Sequence, residues 1–238
     1  LLRHGRPAAR RPPDVVDPER QARWLACLAH RLTPGQALDL VADYGVPAVS
    51  SLGVSDVDAA EAAAAAMGYP VVLKTAAPDV RHKVDVGGVH TGVADAAGVR
   101  AAYADLSARL GPDVLVQQQV PAGLELSLGV WRDPLLGPLV MAAGGGTLVE
   151  LLRERAVALP PLTEDTAARL LTTLPIGTLL DGYRGSARLD RAAVVASLVG
   201  LGQLAHELGD AVEAVDVNPL IVTADGAVAV DALIIPRH

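Results

Sequence analysis

The chain has 238 residues, of which 51% are hydrophobic, so it is long enough to bury a sizeable core. Its formal net charge of −7 argues against a surface that attracts nucleic acid or an anionic membrane. Its one cysteine, Cys27, allows no internal disulfide and fits a reducing cytoplasm, and its place in a helical apolar pattern predicts a packing role. Neither an apolar span nor a secretory leader can be recognised.

The first third of the chain is predicted to be mostly helical. Residues 1–16 are rich in arginine and proline and predict a linker or mobile tail. Helical patterns follow at 17–31, from Thr33 to Gly45 and from Ser55 to Gly68, where glycines serve as stop signals. A β-rich run over 70–74 then places Lys74 near the end of a strand.

The rest of the chain mixes strands and helices. A loop leads to a strand at 88–93, helices are predicted at 95–109, 164–174 and 189–208, and further strands at 113–119, 124–131, 137–142, 212–223 and 227–235. The last two strands meet at Ala224-Asp225-Gly226, which has the composition of a hairpin turn. Meandering strands without regular βαβ alternation predict an α+β fold and argue against Rossmann and TIM architectures.

The use of lysine is the first functional clue. The chain has 20 basic residues, but only Lys74 and Lys83 are lysines. A chain that uses arginine so consistently is expected to keep lysine where a compact charge is needed, for example on phosphate oxygens, because the two side chains are not interchangeable at tight sites. The alternative is chance retention on the surface.

The loop after Lys74 is the second clue. Gly87 and Gly88 can expose backbone amides to phosphates next to the Lys74 ammonium, but they can equally serve a tight turn. No Gly-Lys-Ser/Thr sequence follows them, so the loop is not a Walker loop. On the sequence alone His82 is read as a solvated loop histidine and His90 as a half-buried packing residue.

The closing hairpin is the third clue. Asp216 and Asn218 are two residues apart, so their side chains share one strand face. With the turn at Ala224-Asp225, Asn218 lies opposite Asp231, and other placements of the turn shift this pairing by a residue or two. Oxygen donors on adjacent strands suit a Mg²⁺ ion that keeps its waters and bridges phosphates. The structural alternative is that Asn218-Pro219 marks a bulge and Asp231 caps the sheet end.

Taken in order, these pieces resemble the ATP-grasp domain of NDP-forming acyl-CoA synthetases, the beta-subunit part of acetate- and succinate-CoA ligases, over most of 33–235. No single motif is specific, but their order and spacing are. The matching motifs are Tyr44-Gly45-Val46-Pro47, Gly68-Tyr69-Pro70-Val71-Val72-Leu73-Lys74, Pro78-Asp79, His82-Lys83, Asp85-Val86-Gly87-Gly88-Val89, Glu125, Arg132-Asp133-Pro134, Gly145-Gly146, Val149-Glu150, Gly182-Tyr183-Arg184-Gly185, Asp216-Val217-Asn218-Pro219-Leu220 and Asp231.

The resemblance implies a fold and a set of roles. It implies an ATP-grasp domain at 17–238, with a smaller lid subdomain at about 45–115 and a larger subdomain at about 116–238. Nucleotide binding is implied for Lys74, Gly87, Gly88, Val89, Gln118, Val120 and Glu125, with 117–120 as the adenine hinge. Asn218 and Asp231 are the implied Mg²⁺ ligands. Asp216 is implied to steady a phosphohistidine presented by a partner, and His82 to act as a second phosphate relay.

The implied reaction is acyl-CoA + ADP + phosphate ⇌ acid + CoA + ATP, with ATP/ADP and Mg²⁺ as cofactors. The implied partner is a set of CoA-binding domains, or an alpha subunit, that carries the relay histidine in the same longer chain or a separate one. Departures from the family pattern are Val84, Gln118, Gln119, Ala143 and Ala158. They support a second reading, a catalytically degenerate nucleotide-sensing module of a synthetase-like protein acetyltransferase. A carboxylate–amine ligase is a third.

Overall fold

The computed structural model of the chain describes residues 16–77, 79–80, 83–146 and 154–237. The helices are α1 (Pro18–Leu28), α2 (Pro34–Asp43), α3 (Val57–Met67), α4 (Ala96–Leu110), α5 (Glu164–Thr172), α6 (Pro175–Leu180) and α7 (Arg191–Leu208). The strands are β1 (Ser51–Val54), β2 (Val71–Thr75), β3 (Val89–Val93), β4 (Val114–Gln118), β5 (Leu124–Asp133), β6 (Gly137–Gly144), β7 (Arg155–Ala158), β8 (Val212–Val222), β9 (Ala227–Ala229) and β10 (Ala232–Pro236).

Side-chain caps fix where the helices begin. The Thr33 hydroxyl accepts from the Gln36 amide, and the Gln36 side chain accepts from the Thr33 amide, which completes a capping box at α2. Helix α3 begins two residues later than predicted because Asp56, rather than Ser55, is its cap and accepts from the Ala59 amide at 2.8 Å.

The strands form two antiparallel sheets. The smaller sheet has the order β1-β4-β2-β3, and α3 and α4 pack on it. The larger sheet has the order β10-β8-β5-β6-β7, with β9 also paired to β8, and α2 and α7 contact it. Every named strand pair is antiparallel, which confirms the predicted α+β class.

Each sheet has its own buried cluster. Leu73, Leu106 and Val116 belong to the smaller one, whereas Leu38 of α2 and Leu201 of α7 belong to the larger one. Strand β4 runs across the boundary predicted at about residue 115, so the smaller sheet continues to Gln118. The division into a lid and a larger subdomain stays a prediction.

Three short elements were not predicted, namely β1, β7 and α6. Each has four to six residues, too few for a hydrophobic period to be recognised. Strand β1 forms by pairing with β4, which is distant in sequence, and β7 forms by pairing with β6. The predicted strand 227–235 is interrupted at Val230-Asp231 and gives β9 and β10. Of the predicted tail, only Val16 lies inside the described residues.

A buried polar cluster ties α1 to α7. The Glu207 carboxylate accepts hydrogen bonds from Arg20 at 2.6 Å, from Gln203 at 2.7 Å and from the Tyr44 hydroxyl at 2.8 Å. The Arg20 guanidinium also lies 4.2 Å from the centre of the Tyr44 ring. Because burial of a carboxylate is unfavourable without such partners, the cluster fixes how the N-terminal helix docks.

Among the described helices, none has the length and apolar content needed to cross a membrane.

Candidate functional site

A cavity of about 460 Å³ lies between the two sheets. One wall comes from β2, β3, β4 and the loop at 83–88, and the other from β5, β8 and the β9–β10 break. The predicted positions that line it are Lys74, Val89, Gln118, Val120, Glu125, Asn218 and Asp231. The fold therefore gathers in one place residues that are spread over most of the chain.

Lys74 is buried in the wall of this cavity, at 8% exposure. Its ammonium donates to the Val230 carbonyl at 2.7 Å, across the two sheets. Burial is the largest effect on the pKa of Lys74; together with the opposing effect of the Asp231 carboxylate and the smaller lowering effect of nearby Lys83, it brings this pKa down to about 8. The site thus holds a poorly hydrated cation with donors left over for an anion.

The closing hairpin has the predicted register. Ala232 pairs with Val217, and Leu220 pairs with Ala229, so Asn218 lies opposite Asp231. The Asn218 amide donates to the Asp231 carbonyl at 3.2 Å, which confirms this part of the prediction. Both side chains line the cavity, as the shared register requires.

Lys83 was singled out by composition but had no predicted place in the site. Its ammonium forms an ion pair with Asp231 Oδ2 at 2.6 Å, and only 11% of the lysine side chain is exposed. Asp231 Oδ1 accepts from the Ala232 amide at 3.1 Å. Both lysines of the chain therefore line the same cavity.

Asn218 and Asp231 fit a particular kind of magnesium site. The described residues contain no group of three or more His, Cys, Asp or Glu side chains that could hold a metal by themselves. Mg²⁺ is commonly held by one or two carboxylates, several waters and phosphate oxygens of a ligand. One carboxylate and one amide oxygen suit that arrangement, and the Lys83 ammonium marks the place where Asp231 accepts a cation.

Glu125 owes its position to two glycines. The Gly145 amide donates to the Glu125 carbonyl at 2.8 Å, and a Cβ on Gly146 would collide with the Glu125 carboxylate. Gly146 also has a φ of +58°, which favours glycine. The glycine run, predicted only as part of a motif, therefore makes room for a carboxylate at the cavity rim.

Two backbone amides of the predicted adenine hinge already form hydrogen bonds within the protein. The Gln118 amide donates to the Ser50 carbonyl at 3.1 Å, and the Gln119 amide donates to the Pro70 carbonyl at 3.4 Å. These two amides are engaged in this arrangement, and so is the Gln119 side-chain oxygen, which accepts from the Gly92 amide at 2.6 Å.

Gly87 and Gly88 do not line the cavity. A Cβ on Gly88 would lie 2.8 Å from Thr75 Cγ2 and 2.9 Å from the Lys83 carbonyl, so this glycine packs the loop onto β2. The Gly87 carbonyl accepts from Arg109 at 2.8 Å. The geometry favours a loop-shaping role for both, and the loop residues that reach the cavity are Lys83, Val84 and Asp85. Arg109, on α4, had no signal in the sequence because only the folded chain brings it to this loop.

A second cavity, of about 290 Å³, adjoins the first. Lys83, Asn218 and Asp231 line both cavities. Asp216 lines only the second, and its Oδ1 accepts from the Ser127 hydroxyl at 3.4 Å. His82, predicted as a relay, lies outside the described residues.

Comparison with known proteins gives consistent matches. The family model described as "ATP-grasp domain" matches residues 23–235. The beta subunit of acetate–CoA ligase [ADP-forming] I from Pyrococcus furiosus is 30% identical over 212 residues, which cover 86% of this chain and 91% of that subunit. Acetate–CoA ligase [ADP-forming] I from Archaeoglobus fulgidus is 34% identical over 210 residues, which cover 84% of this chain but only 30% of that protein.

A solved structure also matches. The dinucleotide forming acetyl-coenzyme A synthetase 1 of Ca. Korarchaeum cryptofilum, in complex with coenzyme A and Mg-AMPPCP, has a TM-score of 0.79 and 33% sequence identity. The match covers 91% of this chain and 100% of the solved one. In that complex the phosphohistidine segment points towards the nucleotide binding site.

Proposed function

The chain belongs to the ATP-grasp domain family, and we propose that it is the ATP/ADP- and Mg²⁺-binding part of an ADP-forming acid–CoA ligase. The observation that carries this proposal is the convergence of Lys74, Glu125 and the Asn218–Asp231 pair on one cavity between the sheets. The relatives reported above are ligases, which favours this function over a degenerate sensor.

Each wall of the cavity has a part in nucleotide binding. The Lys74 ammonium binds the phosphates from the small-sheet side, and Glu125 accepts from ribose hydroxyls at the opposite rim. Asn218 and Asp231 would hold Mg²⁺, which supplies charge neutralisation when bound. Catalysis then depends mostly on position and electrostatics, as in other phosphoryl transfers.

The second cavity receives the partner. We place there the phosphorylated imidazole of a CoA-binding domain or alpha subunit, with Asp216 as the carboxylate that orients it. In the transfer the P–N bond breaks, its electron pair stays on the imidazole nitrogen, which takes up a proton, and a P–O bond forms to the terminal phosphate of ADP.

The partner is either fused to this domain or a separate chain. The relative from A. fulgidus is more than three times the length matched here, whereas the P. furiosus subunit is covered almost fully. His82 as a second relay belongs to the same proposal.

Replacing Asp231 or Asn218 by alanine tests the metal site. We expect Asp231→Ala to remove most of the gain in ADP affinity that Mg²⁺ gives, because a charge-assisted contact of about 1.5–3 kcal/mol is lost, or about 10- to 100-fold in Kd. Asn218→Ala should have a smaller effect in the same direction. Calorimetric titration with ADP, with and without Mg²⁺, measures both.

Asp225→Ala is the matched control, because Asp225 is an exposed aspartate at the turn of the same hairpin and outside both cavities. If Mg²⁺ improves ADP binding equally in wild type, Asp231→Ala and Asn218→Ala, the metal site is not at this hairpin.

The pH dependence of binding tests Lys74. Its pKa is about 8 in the ligand-free chain, below the ordinary 10.5, and bound phosphates favour the charged amine. Binding of ADP should therefore take up a proton, and the affinity should fall as the pH rises above about 8, with little change below about 7. Calorimetry in buffers of different ionisation enthalpy measures the uptake directly. An affinity and a proton count that stay constant from about pH 7 to 9 would contradict this assignment.

A further inference from the structure

The Lys83–Asp231 ion pair forms the partition between the two cavities. Lys83, Asn218 and Asp231 line both of them, and the Lys83 ammonium lies 2.6 Å from Asp231 Oδ2. Among the described basic residues, Lys74 lines only the larger cavity and Arg31 only the smaller one. Lys83 is thus the cation at the point where a phosphoryl group would cross from one cavity to the other.

We propose that Lys83 is a phosphoryl-positioning residue that leaves Asp231 when magnesium and nucleotide bind and then contacts the phosphoryl group in transfer. This inference rests on the proposed function and deepens it. In the ligand-free chain the ammonium pairs with Asp231 Oδ2; in the loaded site it would contact the terminal phosphate of ATP.

Electrostatics favours such an exchange. An ammonium and a divalent cation that contact the same carboxylate repel each other, so binding of Mg²⁺ to Asp231 weakens the hold of this carboxylate on Lys83. A displaced ammonium on a side chain that is only 11% exposed is unfavourable without a new partner. The phosphate oxygens that arrive with the nucleotide are the available anion.

The backbone of the loop that carries Lys83 is held in place by hydrogen bonds, whereas the lysine side chain can move. The Lys83 carbonyl accepts from the Gly88 amide at 2.7 Å, which closes the loop on itself. Arg109 donates to the Val86 carbonyl at 3.0 Å and to the Gly87 carbonyl at 2.8 Å, which anchors the loop to α4. The four-carbon stem of lysine lets the ammonium swing from this fixed base, which explains a lysine here in an arginine-rich chain.

The two lysines therefore have different tasks. Lys74 is hydrogen-bonded to Val230 and lines only the nucleotide cavity, so it serves phosphates present in both ADP and ATP. Lys83 reaches the boundary with the second cavity and serves the phosphoryl group that distinguishes ATP from ADP. It neutralises the charge on the peripheral oxygens of that group while the P–N bond breaks and the P–O bond forms, and it neither gains nor loses a proton.

The ratio of ATP to ADP affinity tests this inference. We expect Lys83→Met to raise the Kd for Mg·ATP by about 10- to 100-fold, the value of a charge-assisted contact. The Kd for Mg·ADP should stay unchanged or fall, because Asp231 no longer has to release an ammonium. For the same reason the Mg²⁺ concentration that half-saturates ADP binding should fall. Calorimetric titrations with Mg·ADP and Mg·ATP measure the two dissociation constants, and titrations with ADP at a series of Mg²⁺ concentrations measure the third quantity.

Two further variants keep the result interpretable. Arg100→Ala removes a cation from α4, outside both cavities, and should change neither affinity. Lys83→Gln, with an uncharged polar side chain, should repeat the loss of ATP affinity if Lys83→Met is poorly folded.

The outcomes separate the two proposals. An equal rise of both dissociation constants in the Lys83 variants would show that Lys83 only supports the loop, and an unchanged ATP/ADP ratio would show that it does not touch the transferred group. Either result overturns this inference and leaves the proposed function standing. A wild-type chain that binds neither nucleotide overturns both.

Discussion

Replacing Lys74 by methionine is expected to raise the Kd for Mg·ADP by about a hundredfold or more, the effect of losing a contact of about 3 kcal/mol between an ammonium and phosphate. The contact is strong because Lys74 is buried and its cation is poorly hydrated, so little water has to be removed when phosphate arrives. Methionine has a similar length and no charge. The calorimetric titration used for the hairpin variants measures the change.

The same substitution should leave the chain folded. Burial lowers the pKa of Lys74 to about 8, which means that the folded state disfavours the charged amine at neutral pH. Removing the charge should therefore leave the midpoint of thermal unfolding unchanged or raise it slightly. A large drop in this midpoint together with the loss of binding would indicate a structural role, and an unchanged Kd would refute the assignment of Lys74 to the phosphates. Arg100→Ala is again the control for nucleotide binding.

Replacing Glu207 by alanine is expected to cost about 3 kcal/mol or more of unfolding free energy, because it leaves the Arg20 guanidinium without its partner. For a chain of this length, that corresponds to a fall of roughly 10 °C in the midpoint of thermal unfolding. The docking of α1 depends on this carboxylate, which also accepts from Tyr44 and Gln203. Thermal and denaturant unfolding followed by circular dichroism give both values.

The pH dependence of the stability lost in Glu207→Ala identifies the cause of that loss. Burial raises the pKa of Glu207, but hydrogen bonds from Arg20, Gln203 and Tyr44 outweigh burial, and the net pKa lies below the ordinary 4.5. The stabilising contribution is therefore present above about pH 4.5 and lost as the pH falls further. The difference in stability between wild type and Glu207→Ala should shrink in acid.

Two variants check the Glu207 cluster. Glu213→Ala, on an exposed side chain of β8, should lower stability by less than about 0.5 kcal/mol. Arg20→Ala added to Glu207→Ala should cost less than the sum of the single changes, because the orphaned cation is removed. Additive losses would mean that the two residues do not act through each other.

The predicted elements were confirmed where the local sequence signal was long or chemically specific. The capping residue Thr33 and the stop at Gly68 gave the start of α2 and the end of α3 to within a residue. The hairpin turn fixed the pairing of Asn218 with Asp231, because register in a two-stranded ribbon follows from the turn. The absence of βαβ alternation was enough for the α+β class.

The site itself depended on pairing across long stretches of chain. Nothing near Lys83 in the sequence indicates Asp231 as its partner, and nothing near Gly87 indicates Arg109. Strands β1 and β7 exist because β4 and β6 lie beside them, and a four-residue segment has too little pattern of its own.

The sequence by itself therefore determined the fold class, the cap of α2 at Thr33, the place of the hairpin turn and the set of residues that carry charge suited to phosphate. Only the tertiary structure decided which of them share a cavity, that Gly87 and Gly88 shape the loop outside it, and that Lys83 joins two cavities. The reason is physical. Caps, turns and hydrophobic periods act over a few residues, whereas ion pairs and cavity walls form between segments that meet only when the two sheets have packed.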